Sequence, residues 1–165
     1  MKTLIVIDMQ NDFIDGSLGT NEAQAIVCNV ADKIRQYKNN NDRIIFTRDT
    51  HFDNYLDTPE GKKLPVVHCV KGTFGWQISD KLDTAECEII DKPSFGYTDW
   101  EKYDFDEIEI VGLCTDICVV SNALILKALF PNASISVDSG CCAGVTPESH
   151  SAALTTMKMC QIDVI

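Results

Sequence analysis

Cys118 is the residue of this chain whose position most favours chemistry. It follows an apolar stretch, residues 108–113, that predicts a buried strand, and it precedes residues 121–129, which predict a helix that Thr115 or Asp116 can cap. Free N–H groups and the positive end of a helix dipole favour a thiolate at such a junction, and they can receive the negative oxygen formed when it attacks a carbonyl. The junction therefore predicts a nucleophile with an oxyanion hole, and the alternative is a small cysteine that fills the core.

A cysteine nucleophile also needs a base to take its proton. Asp8 follows the short apolar run 3–7, and burial there would raise the pKa of its carboxyl group. Lys92 follows the apolar run 87–90, and its ammonium group could pair with that carboxylate and favour the thiolate. The alternatives are an aspartate that caps a helix and a lysine that is simply solvated.

A second group of candidate residues lies in the long, irregular stretch 49–73. A loop of this length in a compact domain is usually functional. It contains the carboxylate and imidazole side chains of Asp49, His51, Glu60 and His68. Such ligands suit a divalent ion such as zinc, iron or manganese, whereas the alternative is a pair of solvated loop histidines.

Strands and helices alternate along the whole chain. The apolar patterns predict strands over 3–7, 43–47, 87–90, 107–112, 134–137 and 162–165. They predict helices over 21–37, 75–82, 121–129 and 147–159. We therefore expect a single α/β domain over residues 1–165, with a six-stranded, mostly parallel, doubly wound sheet in a three-layer α/β/α sandwich.

Such a sheet binds ligands beyond the carboxyl ends of its strands. Four of the candidate residues follow predicted strands: Asp8, Asp49, Lys92 and Cys118. We therefore expect them to lie at the same edge of the sheet. No glycine-rich phosphate loop follows any strand, so a nucleotide site lacks its main sequence signal.

Composition narrows the classes of partner and the compartment. The net charge of −11 argues against nucleic acid and against anionic membranes, and no segment approaches the ~20 apolar residues that span a bilayer. The eight cysteines include no CxxC pair, and the N-terminal apolar run is too short for a signal peptide. We therefore expect free thiols in a protein of the reducing cytoplasm.

Three dispersed segments resemble the signatures of the cysteine-hydrolase (isochorismatase-like) superfamily, which contains nicotinamidases, isochorismatases and carbamoyl amidases. These segments are Asp8–Phe13 (DMQNDF), Lys92 followed by Phe95, and Gly112–Val119 (GLCTDICV), in the order and spacing of the superfamily. The resemblance implies six parallel strands and a homo-oligomer, either a dimer or a larger assembly.

The resemblance also implies roles for individual residues. Asp8, Lys92 and Cys118 would form a catalytic triad. The backbone N–H groups of Cys114 and Cys118 would form the oxyanion hole, and a cis peptide bond would precede Cys114. Phe13 is a candidate for stacking on a ring in the substrate pocket.

For the second group of residues, the resemblance implies a metal site. Metal-dependent nicotinamidases bind their ion with an Asp-x-His pair and a later histidine, and some add a glutamate. Asp49, His51, Glu60 and His68 would have these roles here, with zinc the preferred ion and iron or manganese as alternatives. In nicotinamidases the ring nitrogen of the substrate coordinates the ion, while the amide carbonyl faces the cysteine.

Three functional hypotheses follow from these patterns. The first is a hydrolase of a small carboxamide, with nicotinamide the preferred substrate, acting through a cysteine thioester beside a divalent metal. The second is an isochorismatase-like, amide or carbamoyl hydrolase with another substrate. The third is a non-catalytic or redox protein in which Cys114 and Cys118 pair and the loop residues hold a structural metal.

Overall fold

A computed structural model of the chain describes residues 1–165 and contains one parallel sheet of six strands. The strands are β1 (Lys2–Ile7), β2 (Arg43–Asp49), β3 (Glu88–Lys92), β4 (Glu107–Leu113), β5 (Ser134–Ala143) and β6 (Asp163–Val164). Every neighbouring pair is parallel, in the order β3-β2-β1-β4-β5-β6. The expected α/β architecture is confirmed, and the sheet is parallel throughout rather than mostly parallel.

Helices connect the strands and cover both faces of the sheet. They are α1 (Asn11–Ile14), α2 (Asn21–Asn39), α3 (Pro59–Lys63), α4 (Val120–Leu129) and α5 (Pro147–Met159). Short 3-10 helices occur at Tyr55–Asp57 and Asp99–Lys102, and a π-helical turn, Thr115–Val119, precedes α4. None of the helices is long and apolar enough to cross a membrane.

The hydrophobic core is divided by the sheet into two clusters. Because successive side chains of a strand point to opposite faces, Leu4 packs in the cluster that includes residues of α2, whereas Ile5 packs in the cluster that includes residues of α4 and α5. Both residues are fully buried, as expected for a central strand of a parallel sheet. This packing produces the three layers.

The direction in which the chain adds strands to the sheet reverses at β1. The chain moves outward through β2 and β3 on one side, and then returns to place β4 on the other side of β1. The carboxyl ends of β1 and β4 therefore lie at the point where ligands bind in doubly wound sheets.

One predicted helix does not form. Residues 75–82 make turns, and the carbonyl groups of Gly75 and Gln77 accept from the segment after β1 instead of from a following helical turn. Asn11 N–H donates to Gln77 O, and Asp12 N–H donates to Gly75 O. Ser79 N–H in turn donates to Met9 O at 3.0 Å. The apolar spacing of this stretch was compatible with a helix, but the long-range backbone pairing prevails.

The predicted cap of α4 is also wrong. Cys114 precedes the π-helical turn and makes no side-chain capping hydrogen bond. The Thr115 hydroxyl instead lies 2.7 Å from His150 Nδ1, and the Asp116 carboxylate accepts from Val145 N–H. These side chains attach the turn to α5 and to the segment before it.

Candidate active site

Asp8, Lys92 and Cys118 meet at the carboxyl edge of the sheet. Lys92 Nζ lies 2.6 Å from Asp8 Oδ2 and 3.4 Å from Cys118 Sγ. All three residues are buried, with exposed fractions of 0%, 0% and 4%. Asp8 directly follows β1, Lys92 ends β3, and Cys118 lies in the turn after β4. The long lysine side chain reaches across the end of β2 to join them.

Burial controls the ionisation of this group. It raises the pKa of Asp8, although the Lys92 ammonium opposes the shift. Burial would by itself lower the pKa of Lys92, but Asp8 raises it, so the lysine stays charged. The Thr47 hydroxyl donates to Asp8 Oδ1 at 2.6 Å and fixes the orientation of the carboxylate.

Burial opposes the ionisation of Cys118, although the junction after β4 was expected to favour a thiolate. Burial raises the pKa of Cys118 well above its ordinary value, the Asp8 carboxylate raises it further, and only Lys92 lowers it. A thiol with a raised pKa needs a neighbouring base to take its proton when the sulfur reacts.

The turn that carries Cys118 leaves a backbone donor free. Cys114 O accepts from Ile117 N–H at 3.1 Å and from Val119 N–H at 3.0 Å, whereas Cys114 N–H donates no hydrogen bond within the protein. The Leu113–Cys114 peptide bond is cis, as the family resemblance implied. The oxyanion hole itself stays a prediction.

Gly112 is the residue that allows β1 and β4 to approach closely at this point. Its φ angle is +121°, and an added Cβ would collide with the backbone of Ile7. The register between β4 and β5 also shifts between Ile110 and Gly112. Ile7 and Gly112 form the last pair between β1 and β4.

Asn122 was not identified from the sequence, although it is fully buried below the cysteine. Its Nδ2 donates to Cys118 O at 2.8 Å and to Phe95 O at 3.0 Å. Its Oδ1 accepts from Tyr97 N–H and from Trp100 Nε1–H. A single amide in a mostly apolar helix, whose other polar residues are Ser121 and Lys127, was the signal that could have revealed it.

The four predicted metal ligands also come together. One ligand atom from each of Asp49, His51, Glu60 and His68 lies within 4.8 Å of the other three. His51 Nε2 is 2.8 Å from Asp49 Oδ2, and His68 Nε2 is 3.6 Å from the same oxygen. Glu60 Oε1 lies 3.6 Å from His51 Nε2 and 3.9 Å from His68 Nε2.

This donor set fits a divalent cation. The buried Asp49 Oδ1 accepts no hydrogen bond. His68 Nδ1 lies 2.7 Å from Val66 O, and because a carbonyl can only accept, the proton is on Nδ1 and the lone pair of Nε2 faces the cluster. Two imidazoles and two carboxylates suit zinc, iron or manganese.

The two groups of residues are linked and share one pocket. Lys92 Nζ lies 3.8 Å from Asp49 Oδ1, so the lysine lies between Asp8 and the ligand cluster. An apolar cavity of about 250 Å³ is lined by Cys118 and by three of the four possible ligands. The residues that line it are Phe13, Leu18, Thr20, Ala23, Asp49, Glu60, Leu64, His68, Phe95, Leu113, Cys114, Ile117, Cys118, Gly144 and Val145.

The aromatic residues near the pocket have different positions. Phe13 lines the cavity, and its ring centroid is 5.5 Å from that of His68. Tyr55 packs against both histidine rings and does not line the cavity. Trp76 lies outside the cavity with Arg48 3.6 Å above its ring. The stacking role of Phe13 stays a prediction.

A parallel sheet with a buried cysteine at its carboxyl edge defines an α/β cysteine hydrolase, and comparison with known proteins supports this class. The profile of the Isochorismatase domain matches residues 2–165. A nicotinamidase of Saccharomyces cerevisiae is 30% identical over 188 residues, covering 84% of this chain and 87% of the yeast protein. A nicotinamidase/pyrazinamidase of Mycobacterium tuberculosis is 27% identical over 186 residues, covering 100% and 98%.

A solved structure gives the same result. The pyrazinamidase of Pyrococcus horikoshii in complex with zinc superposes with a TM-score of 0.85 and 28% identity, covering 99% of this chain and 98% of that one. The chain belongs to the isochorismatase family. The predicted resemblance and fold class are confirmed, and the chain is a cysteine-dependent amidohydrolase of this family.

Proposed function

We propose that this protein converts nicotinamide to nicotinate and ammonia through a thioester on Cys118, with zinc the preferred metal. The observation that carries the proposal is the single pocket that contacts both Cys118 and the possible ligands Asp49, Glu60 and His68. A small aromatic amide can present its carboxamide to the sulfur and its ring to the ligand cluster. The names of the yeast and mycobacterial relatives, and the zinc in the archaeal pyrazinamidase, support this substrate and metal.

In the first half of the reaction, Asp8 takes the proton of the Cys118 thiol as the sulfur attacks the amide carbon. The raised pKa of the buried carboxyl group makes it a suitable acceptor. The negative oxygen of the tetrahedral intermediate would lie against the N–H groups of Cys114 and Cys118. Asp8 then gives its proton to the leaving nitrogen, the C–N bond breaks, and ammonia leaves a thioester.

In the second half, a water molecule attacks the thioester and Asp8 takes its proton. The C–S bond breaks, the acid is released, and the proton on Asp8 returns to the Cys118 sulfur. Lys92 stays charged, because the negative charges of Asp8, of the Cys118 sulfur and of Asp49 each raise its pKa against the effect of burial. It therefore compensates the negative charge that moves between carboxylate and sulfur.

The ligand cluster lies beside this chemistry. A divalent ion bound there supplies a Lewis acid for a ring nitrogen of the substrate. His51 and His68 would bind it through imidazole nitrogens, and Asp49 and Glu60 through carboxylate oxygens. Phe13 would pack against the ring of the substrate, next to His68.

The lining of the pocket bears on the other two hypotheses. It contains two carboxylates and no lysine or arginine, so a substrate with its own carboxylate could pair only with the proposed metal and not with a basic side chain. This disfavours isochorismate-like and other anionic substrates. Cys118 Sγ contacts the Lys92 ammonium group and lines the same cavity as three of the possible ligands, which favours a nucleophile that faces a substrate over a redox pair with Cys114.

The test is ammonia release from nicotinamide by the purified, zinc-loaded protein. We expect Cys118→Ala to lower kcat by at least about 10³-fold without loss of zinc, because it removes the nucleophile. Treatment with a chelator should lower activity, and added zinc should restore it. Cys28→Ala is the matched control, because this cysteine is exposed on α2 and should leave kcat unchanged.

The outcomes separate the hypotheses. Turnover that persists in Cys118→Ala would exclude the thioester. If zinc is bound and Cys118 is alkylatable but nicotinamide is not hydrolysed, the proposed substrate is wrong, and neutral amides of other shapes become the candidates.

A further inference from the structure

The segment after β1 sends alternate side chains to different parts of the candidate site. Asp8 contacts Lys92, as described above. Two residues further on, Gln10 reaches Asp49, and Asp12 reaches the backbone next to His68. The proposed reaction uses neither Gln10 nor Asp12, although both contact the chain that carries possible metal ligands.

Gln10 holds Asp49 by both of its backbone polar groups. Asp49 N–H donates to Gln10 Oε1 at 2.7 Å, and Gln10 Nε2 donates to Asp49 O at 2.9 Å. The second proton of the amide goes to Trp76 O, also at 2.9 Å. Gln10 is fully buried, so these hydrogen bonds form without competition from water.

The amide of Gln10 takes the place of a missing strand. The last pair between β1 and β2 is Val6 with Phe46, so Asp49 extends three residues beyond it. On its other side, Asp49 is paired with Lys92 of β3. Without Gln10, the backbone of Asp49 would have buried and unpaired polar groups on the side that faces β1.

Asp12 holds the second half of the cluster. Its Oδ2 accepts from Cys69 N–H at 2.8 Å, directly after His68. Cys69 has a positive φ angle of 46°, and its carbonyl accepts from His51 N–H at 2.9 Å. One carboxylate therefore supports the backbone that connects both histidines.

We infer that Gln10 and Asp12 are positioning residues that hold Asp49, His51 and His68 in a geometry fit to bind a divalent metal. The inference rests on the proposed function, since it concerns the metal proposed there. The short segment after β1 thereby contributes to both parts of the site: Asp8 is the base, and Gln10 and Asp12 support the metal ligands.

The first test is the zinc affinity of Gln10→Ala, measured by competition with a chromophoric chelator. We expect affinity to fall about 10- to 100-fold, the usual effect of removing a group that orients metal ligands. The visible absorption of the cobalt(II)-loaded variant should also differ from that of the unmodified protein, because the ligands would be arranged differently.

Tyr37→Phe is the control for a purely structural effect. It removes a 2.7 Å hydrogen bond to Glu109, which lies in the first half of β4, away from the carboxyl edge of the sheet. We expect it to lower Tm while zinc affinity and the cobalt(II) spectrum stay unchanged.

A pair of variants at Asp12 tests the second contact and does not depend on whether Gln10→Ala folds. Asp12→Asn keeps an oxygen acceptor for Cys69 N–H, whereas Asp12→Ala removes it. We expect zinc affinity near that of the unmodified protein for the first variant and about 10-fold weaker binding for the second.

Two results would overturn the inference. If the unmodified protein binds zinc and the alanine variants bind it equally well with the same cobalt(II) spectrum, the positioning role is wrong and the proposed function is untouched. If the unmodified protein does not bind zinc or cobalt(II), the inference fails together with the metal part of the proposed function.

Discussion

At the scale of single residues, three ionisable side chains share one small, almost fully buried volume at the base of the pocket. Lys92 makes an ion pair with Asp8 and contacts Cys118. Burial raises the pKa of Asp8 and also that of Cys118. A thiol beside a carboxylate can pass its proton across a short distance without exposing a free thiolate to water. In the proposed reaction this group therefore stores one proton that moves between sulfur, carboxylate and the leaving nitrogen.

Asn122 holds the backbone of Cys118 without contacting its sulfur, and we expect its loss to disturb the cysteine strongly. Asn122→Ala would leave several buried groups unpaired, including Cys118 O and Trp100 Nε1–H. We expect the free energy of unfolding to fall by at least about 2 kcal/mol, since each unpaired buried group costs about 1–3 kcal/mol. Urea denaturation measures this change, and kcat should fall as Cys118 loses its fixed position.

Asn29→Ala is the control for that prediction. Asn29 is exposed on α2 and donates one hydrogen bond to Gly140 O at 2.8 Å. Its loss should cost less than about 1 kcal/mol, because water can replace the lost partner. Equal losses in the two variants would contradict the importance of the buried network.

At the scale of elements, the site is built from strand ends and from the turns that follow them. The junction after β4 differs from an ordinary helix start, since a π-helical turn and not an N-capped first turn carries Cys118. Thr115 and Asp116 bind residues at or just before α5. The position of the cysteine is therefore connected to the start of α5.

The start of α5 gives a prediction about stability. Thr146 accepts from Ser149 N–H at 3.1 Å, and Ser149 Oγ accepts in return from Thr146 N–H, which together form a capping box. We expect Thr146→Ala to lower the free energy of unfolding by about 1 kcal/mol. Thermal or urea unfolding followed by circular dichroism measures it.

Thr155→Ala is the matched control on the same helix. Thr155 is exposed, and its hydroxyl only donates to Ser151 O within the helix. Since alanine has the higher helix propensity, this variant should be neutral or slightly more stable. A loss as large as that of Thr146→Ala would show that the cap has no special role.

At the scale of the whole molecule, the parallel sheet places the site at the point where strand order reverses between β1 and β4. The net charge of −11 reflects 25 aspartates and glutamates against 14 lysines and arginines. The predicted single domain, homo-oligomer and cytoplasmic location stay predictions, and sedimentation of the purified protein would test the oligomer.

One network of charges gives a prediction about pH. Lys33 Nζ lies 2.6 Å from Glu109 Oε1 and 2.8 Å from Asp138 Oδ2, with all three side chains less than a fifth exposed. Burial by itself would raise the pKa of Asp138, but the hydrogen bond from Lys33 lowers it below its ordinary value. A carboxylate with a lowered pKa stabilises the fold above its unfolded pKa of about 3.9, and that contribution is lost as pH falls through the folded value.

We therefore expect Lys33→Met to destabilise the protein by about 1.5–3 kcal/mol at pH 7 and by less below pH ~4. Urea denaturation at both pH values measures the difference. Lys2→Met is the control, because its ion pair with Glu107 is about half exposed and should contribute nothing measurable at either pH. A loss in Lys33→Met that does not depend on pH would contradict this account.

Sequence patterns were sufficient to predict the alternation of strands and helices and to select the candidate residues of the site. Short apolar runs bounded by polar residues specify buried strands, and Asp8, Asp49 and Lys92 end or directly follow such strands. In a parallel sheet those ends must meet at one edge. The order of the motifs along the chain also carried the family resemblance, which the comparisons confirmed.

Only the tertiary structure decided which side chains support these residues. Gln10 binds Asp49 across 39 positions of the chain, and the predicted helix over 75–82 gives way to pairing with the segment after β1. Local periodicity reports which face of an element is apolar, but it has no information about partners that are dozens of residues away. The supports of the site, unlike its candidate residues, therefore depend on how the strands are ordered in the sheet.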